Sequence, residues 1–204
     1  MVILASPVST AVVTARRAAA SINVGEIARA YDAYIHAGNA NRVLSTQPGD
    51  TAHAAAAILA RTTQFNDAIV WFVKSDPKLN GDSVPVKVIS TLDANATDPE
   101  FATKTLSYVV AANINLTSGI NPSNIPVAWT RGLRDNGTWA PDSPWAGAGG
   151  HIAFLDGHVQ WFDKLSVQPG AVAIFKFGTN TPIPTTNISE ALPPGAVILG
   201  AEPR

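Results

Sequence analysis

Three residues in the last third of the chain have types and spacing that could do chemistry. His151, Asp156 and His158 lie within residues 147–162, GAGGHIAFLDGHVQWF. Two imidazoles and a carboxylate would suit metal ligation or acid–base catalysis. Asp156-Gly157 stands between two alternating apolar runs, a strong short-range hairpin signal. A two-residue turn would pair Leu155 with His158, Phe154 with Val159, Ala153 with Gln160, and Ile152 with Trp161. Ile152, Phe154, Val159 and Trp161 would then share one buried face, and both histidines would lie on the other. Four residues along a strand would separate the histidines by about 13 Å. Ligands of one metal lie within about 2.1 Å of it, so the two could not share an ion. Asp156 is needed by the turn itself, where its side chain can cap backbone amides. The trio therefore reads as a structural hairpin. No catalytic, cofactor-binding or metal-ligating residue is assigned, and the chain reads as a non-enzyme.

The elements that must position this hairpin begin with an unusual amino terminus. The chain has 204 residues, of which 46% are hydrophobic and only 14% charged. That composition excludes charge-driven disorder. Fourteen Lys and Arg against 15 Asp and Glu leave no basic excess for nucleic acid. The absence of cysteine excludes disulfide scaffolds, thiolate metal sites and cysteine nucleophiles. Residues 1–13, MVILASPVSTAVV, carry no charged side chain. Val2, Ile3, Leu4, Pro7, Val8, Val12 and Val13 make this run apolar on all sides, yet it is too short to span a bilayer. Beyond it, Ala20, Val24, Ile27, Ala28, Tyr31 and Ile35 form one helical stripe. The pattern predicts a helix over about residues 2–37, roughly 54 Å long. Pro7 should bend or loosen its start, and Gly38 with Asn39 and Asn41 should stop it. One half would pack within the domain and the other against something else.

Further along, Asp50 or Thr51 can cap a second helix over residues 52–61. Strands are expected over Asp67–Val73, Ser83–Ser90, Thr105–Asn113 and Pro126–Thr130. Residues 131–150 read as a long surface loop. The fold class expected is α+β, a long amino-terminal helix packed on an antiparallel sheet. The divisions are a helix over 1–38, a globular α+β domain over 39–165, and an extension of unknown role over 166–204.

Gly-Gly-His-Ile-Ala-Phe-Leu-Asp-Gly-His-Val-Gln-Trp-Phe at 149–162 resembles the carboxy-terminal signature of a family of pilin-like proteins of planctomycetes and verrucomicrobia. That family is itself similar to the pseudopilins of type II secretion. Its signature is a His, nine residues, then Asp-Gly and an aromatic strand. Asp156-Gly157 matches, whereas the His position falls on Ala146 and His151 stands nearer the turn. Ile3-Leu4-Ala5-Ser6-Pro7, Ala15-Arg16-Arg17-Ala18-Ala19 and the Ile27–Tyr31 stripe resemble the family's mature helix in the same order. By that alignment about fifteen mature residues, among them an early acidic one, would precede Met1. Arg16-Arg17 would lie on the outer side of the membrane, against the usual positive-inside bias.

The resemblance implies a pilin-like fold and a structural subunit of a type IV pilus-like or type II secretion pseudopilus filament. Assembly would run through the apolar helix, Val2, Ile3, Leu4, Pro7, Val8, Val12 and Val13. His151, Phe154, Asp156, Gly157, His158 and Trp161 would form the signature hairpin. The partners implied are copies of itself or other pilin-like subunits, with the inner membrane holding the subunit before assembly. The chain would face the periplasm from the inner membrane or lie in an extracellular filament, and its mature amine would be methylated. No cofactor is expected. Related pseudopilins resemble one another in binding calcium, but Asp135, Asp142 and Asp163 form no spaced cluster here, and no calcium site is assigned. An alternative reading is an extracellular β-rich carbohydrate-binding module, with Trp129, Trp139 and Trp145 as an exposed aromatic platform.

Overall fold

The structure is a computed structural model that describes residues 7–37, 42–47, 49–79, 81–115, 121–179 and 181–203. Its first element is the helix α1, Pro7–Ile35. Twenty-nine residues at 1.5 Å each give a rod of about 44 Å. Val2, Ile3, Leu4, Gly38, Asn39 and Asn41 lie outside the described residues, as do the side chains of Pro7 and Val8. The stripe Ala20, Val24, Ile27, Ala28, Tyr31 and Ile35 is buried along its whole length. Five of those six side chains are apolar and the sixth is Tyr31. The same stripe therefore supplies both the helical periodicity and the core contact.

Helix α2, Ala52–Thr63, packs against α1. Thr51 is its N-cap residue, but its hydroxyl meets His53 Nδ1 at 3.0 Å rather than capping a backbone amide. His53 Nε2 lies 2.8 Å from the Lys104 carbonyl. Asp67–Val73 is not a strand. Asp67 accepts a hydrogen bond from Ile69 N and caps a 3₁₀ turn, Ala68–Trp71. Ser83–Ser90 is not a strand either. It makes isolated bridges, Asp67 with Lys87 and Ile89 with Thr97. Val70, Trp71, Phe72, Val73, Val88 and Ile89 are buried without joining a sheet, while Ile69 and Val86 stay exposed. The Asn66 side chain then satisfies the amides of Val88 and Ile89 that a strand partner would have taken. A short helix α3, Pro99–Thr103, is capped by Asp98.

Strands β1 (Tyr108–Ala112), β2 (Pro126–Thr130), β3 (Gly150–Phe154) and β4 (Val159–Phe162) follow. A two-stranded ribbon, β5 (Ile174–Phe175) with β6 (Pro184–Thr185), comes next, then β7 (Val197–Leu199). The main sheet has the order β4-β3-β2-β1-β7, and all its pairings are antiparallel. The fold class is thus α+β, a long helix on a five-stranded antiparallel sheet. Residues 166–204, set apart in the sequence reading, supply the edge strand β7. They also carry Gly200 O, which accepts from Ala52 N at 2.8 Å, and Ala201 O, which accepts from Leu106 N at 2.9 Å.

Helix and sheet are joined by a polar contact in the middle of the core. Tyr108 Oη on β1 donates to the Ala20 carbonyl of α1 at 3.0 Å, and both residues are buried. Burial pushes the Tyr108 phenol far above its usual range, and the Asp76 carboxylate adds to the effect. Replacing Tyr108 by Phe removes one neutral hydrogen bond, a loss of about 1 kcal/mol. In a chain of this size the expected fall in Tm is about 2–4 °C. A calorimetric scan of Y108F checks this, and an unchanged Tm would show that the hydroxyl contributes nothing.

Candidate assembly helix and signature hairpin

The hairpin between β3 and β4 is offset by one residue from the register expected of a two-residue turn. Gly150 pairs with Phe162, His151 with Trp161, Ile152 with Gln160, and Ala153 with Val159. Phe154 N donates to His158 O at 3.0 Å, and Gly157 N donates to Phe154 O at 2.9 Å. The loop is therefore Leu155-Asp156-Gly157, a type I turn closed by a residue with positive φ. Gly157 supplies that residue, with φ of 85°. Asp156 Oδ1 accepts from His158 N at 3.1 Å and lies 2.6 Å from His158 Nδ1.

A one-residue shift exchanges the faces of a strand. His151, Ala153, Val159 and Trp161 share the face toward α1. Phe154, His158, Gln160 and Phe162 share the other. The expected grouping of Phe154 with Trp161, and of His151 with His158, is thereby overturned. The two histidines stand on opposite faces of the hairpin. His158 stacks on Phe154, with ring centroids 4.3 Å apart and planes within 4°. Gly150 lies directly beneath an indole. A Cβ there would come within 2.6 Å of the Trp139 ring, whose Nε1 donates to Phe162 O at 3.1 Å.

On the α1 face, the hairpin receives a cation from the helix. The Arg17 guanidinium lies 4.1 Å from the Trp161 ring centroid and 6.0 Å from that of Trp145. Trp145, His151 and Trp161 meet edge to face, with His151 4.8 Å from Trp161 and 6.3 Å from Trp145. A cation over an indole face is worth about 0.5–2 kcal/mol, more as water is excluded. This clamp fixes α1 at the point where the helix leaves the body. Arg17 lies outside the stripe from Ala20 to Ile35, so the helical pattern gives it no role. Its neighbours Trp145 and Trp161 lie too far along the chain for any periodicity to link them.

His151 is buried, and its Nδ1 finds no hydrogen-bond partner among the described residues. Burial first, and the Arg17 charge second, lower its pKa from 6.5 to about 4. Between those values the unfolded chain binds the extra proton and the folded chain does not. Folding stability from this group is therefore complete above pH 6.5 and is lost as pH falls toward about 4. The full loss is about 3 kcal/mol. His53, also lowered by burial, acts in the same direction. Urea unfolding of wild type and His151→Phe should give stability curves with a constant difference above neutral pH and a changing one in acid. Parallel curves would show that His151 titrates normally.

The other candidate residues lie along α1. From Thr10 to Ala19 only Arg17 is even half-buried. Val12 and Val13 are 42% and 44% exposed, and Ile22 further along the same helix is 62% exposed. Ala11, Ala15, Ala18 and Ala19 lie around them, small enough to admit a close neighbour. Among the described residues, no helix is long and apolar enough to cross a membrane.

Trp129, Trp139 and Trp145 are buried rather than displayed, so they form no platform for a sugar. Asp142 faces Arg131 and Lys78, and Asp163 accepts from the Trp161 indole at 2.7 Å. Among the described residues, no group of three or more His, Asp and Glu could hold a metal ion. No protein-family model, no curated protein and no solved structure matches the chain.

Proposed function

We propose that this chain is a structural subunit of a type IV pilus-like or type II secretion pseudopilus filament. The observation that carries this reading is the division of one continuous helix into two halves. The half from Ala20 to Ile35 lays its apolar stripe on the sheet, with Ile22 exposed on its outer side. The half from Thr10 to Ala19 is solvent-facing, with two exposed valines among small residues. An exposed helix half with two valines among small residues, and Arg16 beside them, suits packing against a different face of the next copy. A head-to-tail contact of that kind does not close on itself and yields an open filament. The resemblance of residues 149–162 and 15–31 to pilin-like proteins points the same way. In this reading the inner membrane holds the helix before assembly, and the globular sheet forms the outside of the filament. The hairpin and the Arg17 clamp set the angle of the arm relative to the body.

Immunogold electron microscopy of native cells with an antibody to residues 121–179 tests the proposal. Labelled filaments at the envelope are expected. Label confined to soluble, monomeric protein would overturn it.

A further inference from the structure

The root of the exposed arm is flanked by a groove of about 580 Å³, running between α1 and the 3₁₀ turn at Ala68–Trp71. Val12, Ala15 and Ala19 form one wall, and Ile69 and Phe72 line the other. Ile69 is 52% exposed, although the turn that carries it is otherwise mostly buried. Two cations border the groove, Arg16 from the helix and Lys74 from the segment after the turn. No carboxylate lines it. Asp76, two residues on, is turned inward and held by Arg131 and Ser107. An apolar trough with cations and no anions at its edge matches an amphiphile with an aliphatic tail and an anionic head. The exposed amino-terminal half of a second copy's α1 would offer neither cation a partner, because its first acid is Glu26.

We infer that this groove docks the body onto an anionic phospholipid surface, with Ile69 entering the acyl boundary and Arg16 and Lys74 at the phosphates. The inference extends the membrane stage of the function proposed above. Filament formation is read separately, by microscopy, so either idea can fail alone. Apolar insertion and electrostatic attraction add in such binding, and each basic residue near an anionic surface contributes about 1 kcal/mol.

The test is co-sedimentation of the full chain with vesicles of phosphatidylcholine alone or mixed equally with phosphatidylglycerol. Binding to the mixed vesicles, released as salt rises from about 0.1 to about 1 M, is expected. The double variant Arg16→Gln/Lys74→Gln should bind about 30-fold more weakly. Ile69→Ser should cost about tenfold, because a half-exposed side chain can still lose most of its transfer to lipid. Arg134→Gln/Lys164→Gln, which removes two exposed cations outside the groove, should bind as wild type does. Circular dichroism of each variant confirms that it is folded. Equal binding to both vesicle types, or equal binding by the groove variant and wild type, overturns the inference. So does self-association that Ile69→Ser abolishes in the absence of vesicle binding, since a second copy would then occupy the groove.

Discussion

Val13→Asp should abolish filaments while leaving the folded subunit as stable as wild type. The two halves of the result follow from one fact, that Val13 is 44% exposed in the single subunit. A substitution at such a position typically changes stability by no more than about 0.5 kcal/mol. Val and Asp have similar intrinsic helix propensity. In an assembled bundle the same position would be surrounded by other helices. An unpaired carboxylate there would carry a desolvation cost of several kcal/mol per subunit, repeated at each contact. Val13→Ala is expected to weaken assembly without removing it, since a small side chain still permits close packing. The measurement is filament count by electron microscopy beside urea midpoints of the purified variants. Normal filament numbers in V13D would exclude this face from assembly. A large fall in the midpoint would mean that Val13 contributes to the subunit core instead.

The largest expected loss of stability lies elsewhere, at Asp76. Its side chain is fully buried and its carboxylate is fully partnered. Oδ1 accepts from Arg131 Nη2 at 2.6 Å and from Lys78 N at 2.9 Å. Oδ2 accepts from Ser107 Oγ at 2.7 Å, and Ser107 Oγ in turn accepts from Val73 N at 2.9 Å. Arg131 also donates to Asp142 O at 2.9 Å. One carboxylate thus ties the segment after the 3₁₀ turn to the end of β2 and the start of β1. Asp76→Ala leaves Arg131 buried without its main counter-charge, at a cost of about 3–5 kcal/mol. Typical domains have only about 5–15 kcal/mol in all, so D76A should be close to unfolding. The double variant Asp76→Ala/Arg131→Met should be less destabilised than D76A alone, because the orphaned charge is then gone. Urea denaturation with unchanged m-values measures both. Additive losses in the double variant would mean that the ion pair is not the source of the effect.

The sequence was most readable where a periodicity meets a single partner surface. The stripe from Ala20 to Ile35, helix α2 and strands β1 and β2 are of this kind. Ala, Leu and Ile at helical spacing admit one solution there, and Tyr-Val-Val-Ala-Ala and Pro-Val-Ala-Trp-Thr are short, fully buried strands. Asp67–Val73 misleads because β-branched and aromatic residues favour strands only where a sheet edge is available. Here Asp67 caps a tight turn instead, and tertiary burial overrides local preference. The hairpin is legible as a hairpin, but its register is not. Asp-Gly serves a two-residue turn and a three-residue turn equally well, and the choice lies in whether Leu155 belongs to the strand or the loop. Of the site, the exposure of Val12 and Val13 follows from their place before the buried stripe. The Arg17 clamp and the Asp76–Arg131 pair join residues far apart in the chain, and no local pattern records them. Strand β7 escaped notice because Val-Ile-Leu is too short to stand out between the prolines that flank it.

The order of the sheet sets a timetable for synthesis. Helix α1 is made more than a hundred residues before the β3–β4 hairpin that clamps it. Chain elongation runs at about 5–20 residues per second, so α1 waits roughly ten seconds with its buried stripe uncovered. The sheet edge closes only when Val197–Leu199 reach β1. Until strands β2 and β3 are made, the stripe of α1 has no sheet to pack on. In that interval the stripe is open to whatever apolar surface the nascent chain meets.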